Sequence, residues 1–202
     1  MYGILDYGTG NISSVKNMLR HCGLDSTVIS NRSDIDKVKA IIIPGVGHFE
    51  FAISSIRNLD FFDALILAIT KDKIPTIGIC LGMHLFANSS EEGTSPGLGL
   101  VNGVIKKFSL EEIYLPHLGW NTIKSDDFDL FPHEESRFYF VHNFYFECQD
   151  ESIILSRTSL RGKSFISAFR FENIIGVQFH PEKSHKYGVS FFKGFHEKYL
   201  NG

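Results

Sequence analysis

Cysteine is scarce in this chain of 202 residues: there are three, Cys22, Cys80 and Cys148. The count is odd, the spacings are wide and no CxxC pair occurs, so a disulfide framework is not expected. Free thiols point to a reducing cytosol, and a cytoplasmic location is the expectation. Basic runs are missing as well. Lys+Arg total 20 against 23 Asp+Glu, a formal net charge of −3, which speaks against nucleic acid or an anionic membrane as partner. No apolar stretch reaches the roughly 18 residues needed to cross a bilayer. The opening Met1-Tyr2-Gly3-Ile4-Leu5-Asp6 has no basic region, so it does not read as a signal peptide. Tryptophan occurs once and phenylalanine 19 times, which suggests an aromatic core. No internal repeat and no linker is visible, so residues 1–202 are expected to form one domain.

The first 90 residues alternate strand and helix signals. Tyr2 to Asp6 reads as a strand, and Gly8-Thr9-Gly10-Asn11 turns into a helix over Ile12 to Cys22 that Gly23 ends. Position 13 is Ser where a dinucleotide fingerprint needs its third glycine, so a tight turn is read there and no cofactor. Thr27 to Ile29 and the wholly apolar Ala40 to Ile43 are strands, with a short helix starting at Ser33 between them. Helices follow to about Leu59 and over Phe62 to Lys71. The pattern predicts an α/β fold: an open, mostly parallel central sheet with helices on both faces and ligands at the carboxyl ends of its strands. After the polar loop Ser89 to Gly97 come short extended segments: Val104–Lys107, Arg137–Val141, Phe144–Glu147, Ile153–Ser156, Phe165–Phe169 and Ile174–Gln178. They are expected to add mixed or antiparallel strands to the same sheet, before a closing helix from His185 to Leu200.

One stretch organises the chemistry. Thr76 to Ile79 is a strand, Leu81 to about Asn88 a helix, and Cys80 sits at the join. Gly78 and Gly82 flank it at minus two and plus two, where a missing Cβ lets helix and strand approach closely. This is a nucleophile elbow with cysteine in place of serine. The helix N-terminus favours thiolate, and the Leu81 N–H can serve an oxyanion. The competing reading of such a cysteine is a small buried hydrophobe.

Far downstream, His180-Pro181-Glu182 leaves the strand Ile174–Gln178. Residues two apart in extended chain point the same way, so the carboxylate can accept a ring N–H of His180 and free the other nitrogen to take a thiol proton. A surface turn is the bland alternative for this motif alone. Gly45-Val46-Gly47 ends another strand, and the N–H of Val46 or Gly47 can pair with that of Leu81 as a two-donor oxyanion hole. A simple turn or a phosphate nest is the alternative there, the nest being disfavoured because no Lys or Arg lies in the stretch. Cys80, His180, Glu182 and His185 match no zinc spacing, and metal binding would quench the nucleophile, so no metal is expected.

Gly78-Ile79-Cys80-Leu81-Gly82-Met83, Pro44-Gly45-Val46-Gly47 and Gln178-Phe179-His180-Pro181-Glu182-Lys183-Ser184 resemble the class I (triad) glutamine amidotransferases. Pro116-His117-Leu118-Gly119-Trp120-Asn121, Asp6-Tyr7-Gly8-Thr9-Gly10-Asn11 and Tyr139-Phe140-Val141-His142 are similar to their HisH branch, the glutaminase subunits of imidazole glycerol phosphate synthase. The resemblance implies a flavodoxin-like glutaminase fold. It implies that Cys80 attacks the side-chain amide of L-glutamine, with His180 and Glu182 completing the triad and no cofactor. Ammonia would pass to a HisF-like (β/α)8-barrel partner, giving imidazole glycerol phosphate and AICAR in histidine biosynthesis. By the same resemblance Gly47, His84 and Glu92 would contact glutamine, and Asn11, Trp120, Asn121 and Lys183 would face the partner. Two positions depart from the pattern: His84 stands where the family usually has glutamine, and Phe144 where it usually has tyrosine. The alternatives carried alongside are a HisH-like paralogue supplying ammonia for sugar amidation in surface-polysaccharide biosynthesis, a non-catalytic scaffold and a γ-glutamyl hydrolase.

Overall fold

The computed structural model describes residues 1–109, 115–133 and 135–201. Its first half is the expected βα alternation. The strands are β1 (Tyr2–Leu5), β2 (Ser26–Ile29), β3 (Ala40–Gly45) and β4 (Thr76–Cys80), and the helices α1 (Ile12–His21), α2 (Arg32–Ile35), α3 (Phe49–Arg57), α4 (Phe62–Thr70) and α5 (Leu81–Leu85). The second half supplies β5 (Ser89–Ser90), β6 (Val104–Lys107), β7 (His117–Lys124), β8 (Arg137–His142), β9 (Phe144–Glu147), β10 (Ile154–Leu160), β11 (Lys163–Phe171), β12 (Ile174–Val177) and the closing α6 (His185–Leu200).

These strands form one sheet whose main path runs β2-β1-β3-β4-β12-β11-β10-β7-β8. The pairs β1–β2, β1–β3, β3–β4 and β4–β12 are parallel. From β12 outward the pairs β12–β11, β11–β10, β10–β7 and β7–β8 are antiparallel. The chain thus returns β12 to the centre, beside β4, and this return brings residues near 180 next to residue 80. Side chains of the parallel strands alternate between two cores: Ile41 and Ile43 face one, Ala40 and Ile42 the other. Both faces are covered, which is why these strands are apolar throughout. Phe138, Phe140, Phe165, Phe179 and Phe191 fill the second core and account for much of the phenylalanine content.

Three sequence expectations need correction. The helix after Cys80 ends at Leu85, not near Asn88. The Leu85, Phe86 and Ala87 carbonyls accept N–H groups from Leu98, Leu100 and Gly99, so they are not available to extend a helix. Within the supposed polar loop, Ser89–Ser90 pairs with β6 as a short parallel strand. The stretch His117–Lys124, not read as a strand, is an eight-residue strand paired with β8. Among the described residues no helix is long and apolar enough to cross a membrane.

Candidate active site

Cys80 lies at the carboxyl end of β4 with φ +53° and ψ −108°. This is a left-handed conformation that a side-chain-bearing residue adopts only when its surroundings force it. The forcing contacts are visible at the neighbouring glycines. A Cβ on Gly82 would lie 1.9 Å from the Ile43 carbonyl oxygen, and one on Gly78 would lie 2.4 Å from the Phe86 ring. Helix α5 is therefore pressed onto β3 and β4 at backbone contact, and the chain between them can turn only through Cys80. The elbow predicted from the glycine spacing is present.

The β3–β4 register pairs Gly45 with Cys80, so Val46 and Gly47 leave the sheet beside the thiol. Gly47 takes φ +108°, open to glycine and strained for other residues. A cavity of about 270 Å³ opens in front of the sulfur, lined by Val46, Gly47, Cys80, Leu81, His84, Glu92 and the segment Val141 to Phe144. Glu92 reaches it from beyond β5 and accepts the Phe49 N–H at 3.0 Å. Burial raises the pKa of the Glu92 carboxyl, partly offset by that N–H and by His48.

On the other side, β12 pairs Val177 with Ile79. The chain then runs past Gln178 to His180, and Glu182 follows in a 3-10 turn over Pro181–Lys183, not in the extended chain expected; the Lys183 N–H closes the turn by donating to the His180 carbonyl at 3.0 Å. The His180 Nδ1–H donates to Glu182 Oε1 at 2.8 Å, with both side chains at least 97% buried. The segment is pinned to β8: the His180 N–H donates to the Tyr139 carbonyl at 2.8 Å, and the Ser184 hydroxyl accepts the Tyr139 N–H at 3.0 Å while donating to the His180 carbonyl at 2.6 Å. His180 Nε2 is buried and has no aligned hydrogen-bond partner among the described residues. Burial by itself would lower the His180 pKa, but the nearby Cys80 sulfur and then Glu182 outweigh it and raise it to about 10. Cys80 and Glu182, on either side of the ring, thus favour its protonated form. The sequence residues Cys80, His180 and Glu182 are thus brought together from positions a hundred residues apart.

A family model described as "Glutamine amidotransferase class-I" matches residues 3–197. The chain is 43% identical, over 96% of its length and 98% of the relative's, to "Imidazole glycerol phosphate synthase subunit HisH 2" of Methanococcus maripaludis. The chain belongs to the class I glutamine amidotransferases, in their HisH branch. A second relative, the HisH subunit of Bdellovibrio bacteriovorus, is 39% identical over 98% of this chain and all of its own. Among solved structures, one titled "Crystal structure of glutamine amidotransferase" superposes with a TM-score of 0.75 at 17% identity, covering 97% of each chain. PurLQS from Thermotoga maritima gives 0.74 at 16% identity, covering 98% of this chain and 97% of its own. The expected fold is borne out by both the strand order and these likenesses.

Position 84 is the one the resemblance assigns to glutamine contact in this amidotransferase. His84 borders the cavity, yet it is only 4% exposed and its Nε2 lies 2.8 Å from Gln178 Oε1. An amide oxygen only accepts, so Nε2 carries the proton. Burial, only partly offset by Gln178, lowers its pKa to about 4 and keeps the ring neutral. Gln178 in turn donates from Nε2 to Cys80 Sγ at 3.7 Å. Phe144 lines the cavity at the place of the usual tyrosine.

The cavity wall contains a further relay that the sequence did not reveal. His142 Nδ1–H donates to the Phe144 carbonyl at 2.7 Å, and His142 Nε2 then accepts from His117 Nδ1 at 2.8 Å. His117 Nε2 accepts from Asn121 at 3.2 Å. Burial lowers the pKa of His117 to about 4 and that of His142 well below its usual value. Two neutral histidines thus fix the loop that carries Asn143 and Phe144. Only a contact map would have found them, since β7 was not read as a strand.

Of the residues expected to face a partner, Trp120 is 41% exposed and stacks on His185 with centroids 5.5 Å apart. Lys183 lies over the Tyr139 ring at 5.8 Å, and Tyr139 meets Trp120 edge-on, so these side chains share one surface. Asn121 turns the other way, donating to the Ser159 carbonyl at 3.1 Å and to His117. Asn11 caps α1 by accepting the Ser14 N–H at 3.0 Å, at the carboxyl end of β1. Among the described residues no group of three or more His, Cys, Asp or Glu is arranged to hold a metal ion.

Proposed function

We propose that Cys80, His180 and Glu182 form a catalytic triad that hydrolyses the side-chain amide of L-glutamine. The Cys80 sulfur attacks the amide carbon, and the oxyanion is received by the N–H groups of Leu81 and of Val46 or Gly47. His180 Nε2 delivers its proton to the departing nitrogen, and ammonia leaves. Water, deprotonated by the now neutral His180, hydrolyses the γ-glutamyl thioester to glutamate and restores the starting pair. Glu182 holds the ring and offsets its positive charge throughout. Gly47 and Glu92 contact the glutamine, the carboxylate of Glu92 being suited to its α-ammonium group. The observation that carries the reading is the 2.8 Å His180–Glu182 bond, set beside a strained cysteine that opens onto a cavity of about 270 Å³.

The ammonia serves imidazole glycerol phosphate synthesis in histidine biosynthesis, through a HisF-like (β/α)8-barrel docked on the surface around Trp120 and Lys183. The HisH names of two curated relatives support this, and the exposed, stacked indole suits an interface. Cytoplasmic location follows from that pathway. The test is Cys80→Ala, measured as glutamate release with and without a HisF-type barrel. Turnover is expected to be lost in both assays; retained turnover would remove the triad. Restoration of histidine-free growth to a strain lacking its own glutaminase subunit tests the pathway.

A further inference from the structure

The buried pair His84–Gln178 has no part in the triad as written, yet it ends on the reacting sulfur. Resting on that triad reading, we propose that His84 is a positioning residue for the nucleophile. Through Gln178 it holds an amide N–H against the Cys80 sulfur, and it does not bind glutamine by donating to it.

The argument is one of donors and acceptors. A side-chain amide has an accepting end and a donating end. Gln178 is fully buried, and its side chain lies between His84 and Cys80, so neither end can exchange its partner for water. With a proton on His84 Nε2, the carbonyl end of Gln178 is committed to His84 and the NH2 end must face the sulfur. An N–H beside a thiolate is a charge-assisted donor and favours the anion. The reversed amide would set a carbonyl oxygen against that anion and leave two N–H groups facing each other. The His84 ring stays neutral at working pH, so it holds this orientation without adding a competing charge to the cavity. His84 Nδ1 is then without a proton and cannot donate to a substrate. The β4–β12 register, which places the residue after Val177 beside Cys80, makes the Gln178–sulfur contact a property of the fold.

The experiment follows alkylation of Cys80 by iodoacetamide across pH, site by site by mass spectrometry, in the full chain and in His84→Phe and Gln178→Met. Losing one N–H to the anion is expected to raise the inflection by about one pH unit in either variant. Glutamine turnover should fall roughly tenfold in kcat with KM changed less than about threefold, and the double variant should match the worse single one. A His84→Phe protein with a tenfold higher KM and an unmoved inflection would overturn the proposal in favour of substrate contact. An unmoved inflection in Gln178→Met overturns it even if His84→Phe fails to fold. Failure of the triad itself looks different: Cys80 in the unmodified protein would then alkylate no faster than Cys22 or Cys148.

Discussion

Mild acid should destabilise this protein before its carboxylates titrate. His84 and His117 are each no more than 5% exposed, and burial holds both at a pKa of about 4. In the unfolded chain each returns to about 6.5. The unfolded state therefore binds more protons below that value, so this share of stability is intact above pH 6.5 and is lost as pH falls towards 4. At about pH 5 the unfolded imidazole is almost fully protonated and the folded one is mostly neutral. The cost is about 1.4 kcal/mol per pH unit over roughly 1.5 units, or about 2 kcal/mol for each histidine. Two of them remove about 4 kcal/mol from a total that is typically about 5–15. His142 works in the same direction. His180 works in the opposite one: its raised pKa gives stability fully present below 6.5 and lost as pH rises through about 10. A single-residue comparison separates these contributions. Urea unfolding is measured by circular dichroism at about pH 7.5 and about pH 5, for the natural chain and for His84→Phe. The variant starts less stable, having lost the Gln178 bond, but on acidification it should lose about 2 kcal/mol less than the natural chain. With a urea slope of about 2–3 kcal/mol per M, that is a difference of roughly 0.7–1 M in the midpoint shift. Equal acid losses in the two proteins would show that position 84 does not hold a buried neutral imidazole, and the reasoning would fail.

Three further outcomes are expected. Gly82→Ala puts a Cβ 1.9 Å from the Ile43 carbonyl, so α5 must shift; thermal melts should show about 1–3 kcal/mol of destabilisation and glutaminase assays a loss of at least tenfold, whereas wild-type behaviour would mean the elbow is not tightly packed. Glu182→Gln keeps the volume but removes the charge that helps raise the His180 pKa; kcat should fall roughly 10²–10⁴-fold, with the His180 NMR titration moving downward. Trp120→Ala removes a 41% exposed indole stacked on His185; calorimetry should show barrel binding weakened by at least about 2 kcal/mol, with the isolated chain's stability changed by less than about 1.

The first half of the fold was legible because its signals are local. Strands β1, β3 and β4 are apolar runs, and glycine or asparagine marks the turn after each. The second half was read less well, for reasons that differ by element. Strand β7 carries His, Gly, Trp and Asn, and it exposes Leu118 and Trp120, so it lacks the apolar alternation by which a strand is recognised. Strands β10 and β11 run longer than expected. Their hairpin turns at Arg161 and Gly162, both at positive φ, where an arginine gives no warning of the turn. Strand β5 has two residues, both Ser, and exists because Asn88 and Glu91 find partners at Gly103 and Ile105 across the sheet.

The site shows the same division more sharply. The proposed triad Cys80, His180 and Glu182 was identifiable because each role has a local requirement. The elbow needs glycines two residues either side, and the base needs a carboxylate close by, which Glu182 supplies two residues on, from a 3-10 turn and not from the extended chain expected. The placement of His84 had no such mark. Its partner is 94 residues distant, and its position one helical turn after the cysteine suits a substrate contact equally well. What supports the proposed positioning role is the Gln178 carbonyl oxygen, which faces the ring at 2.8 Å. Sequence alone therefore exposes the groups proposed to make and break bonds. The pair that ends on the sulfur becomes visible only when β12 is seen to lie beside β4.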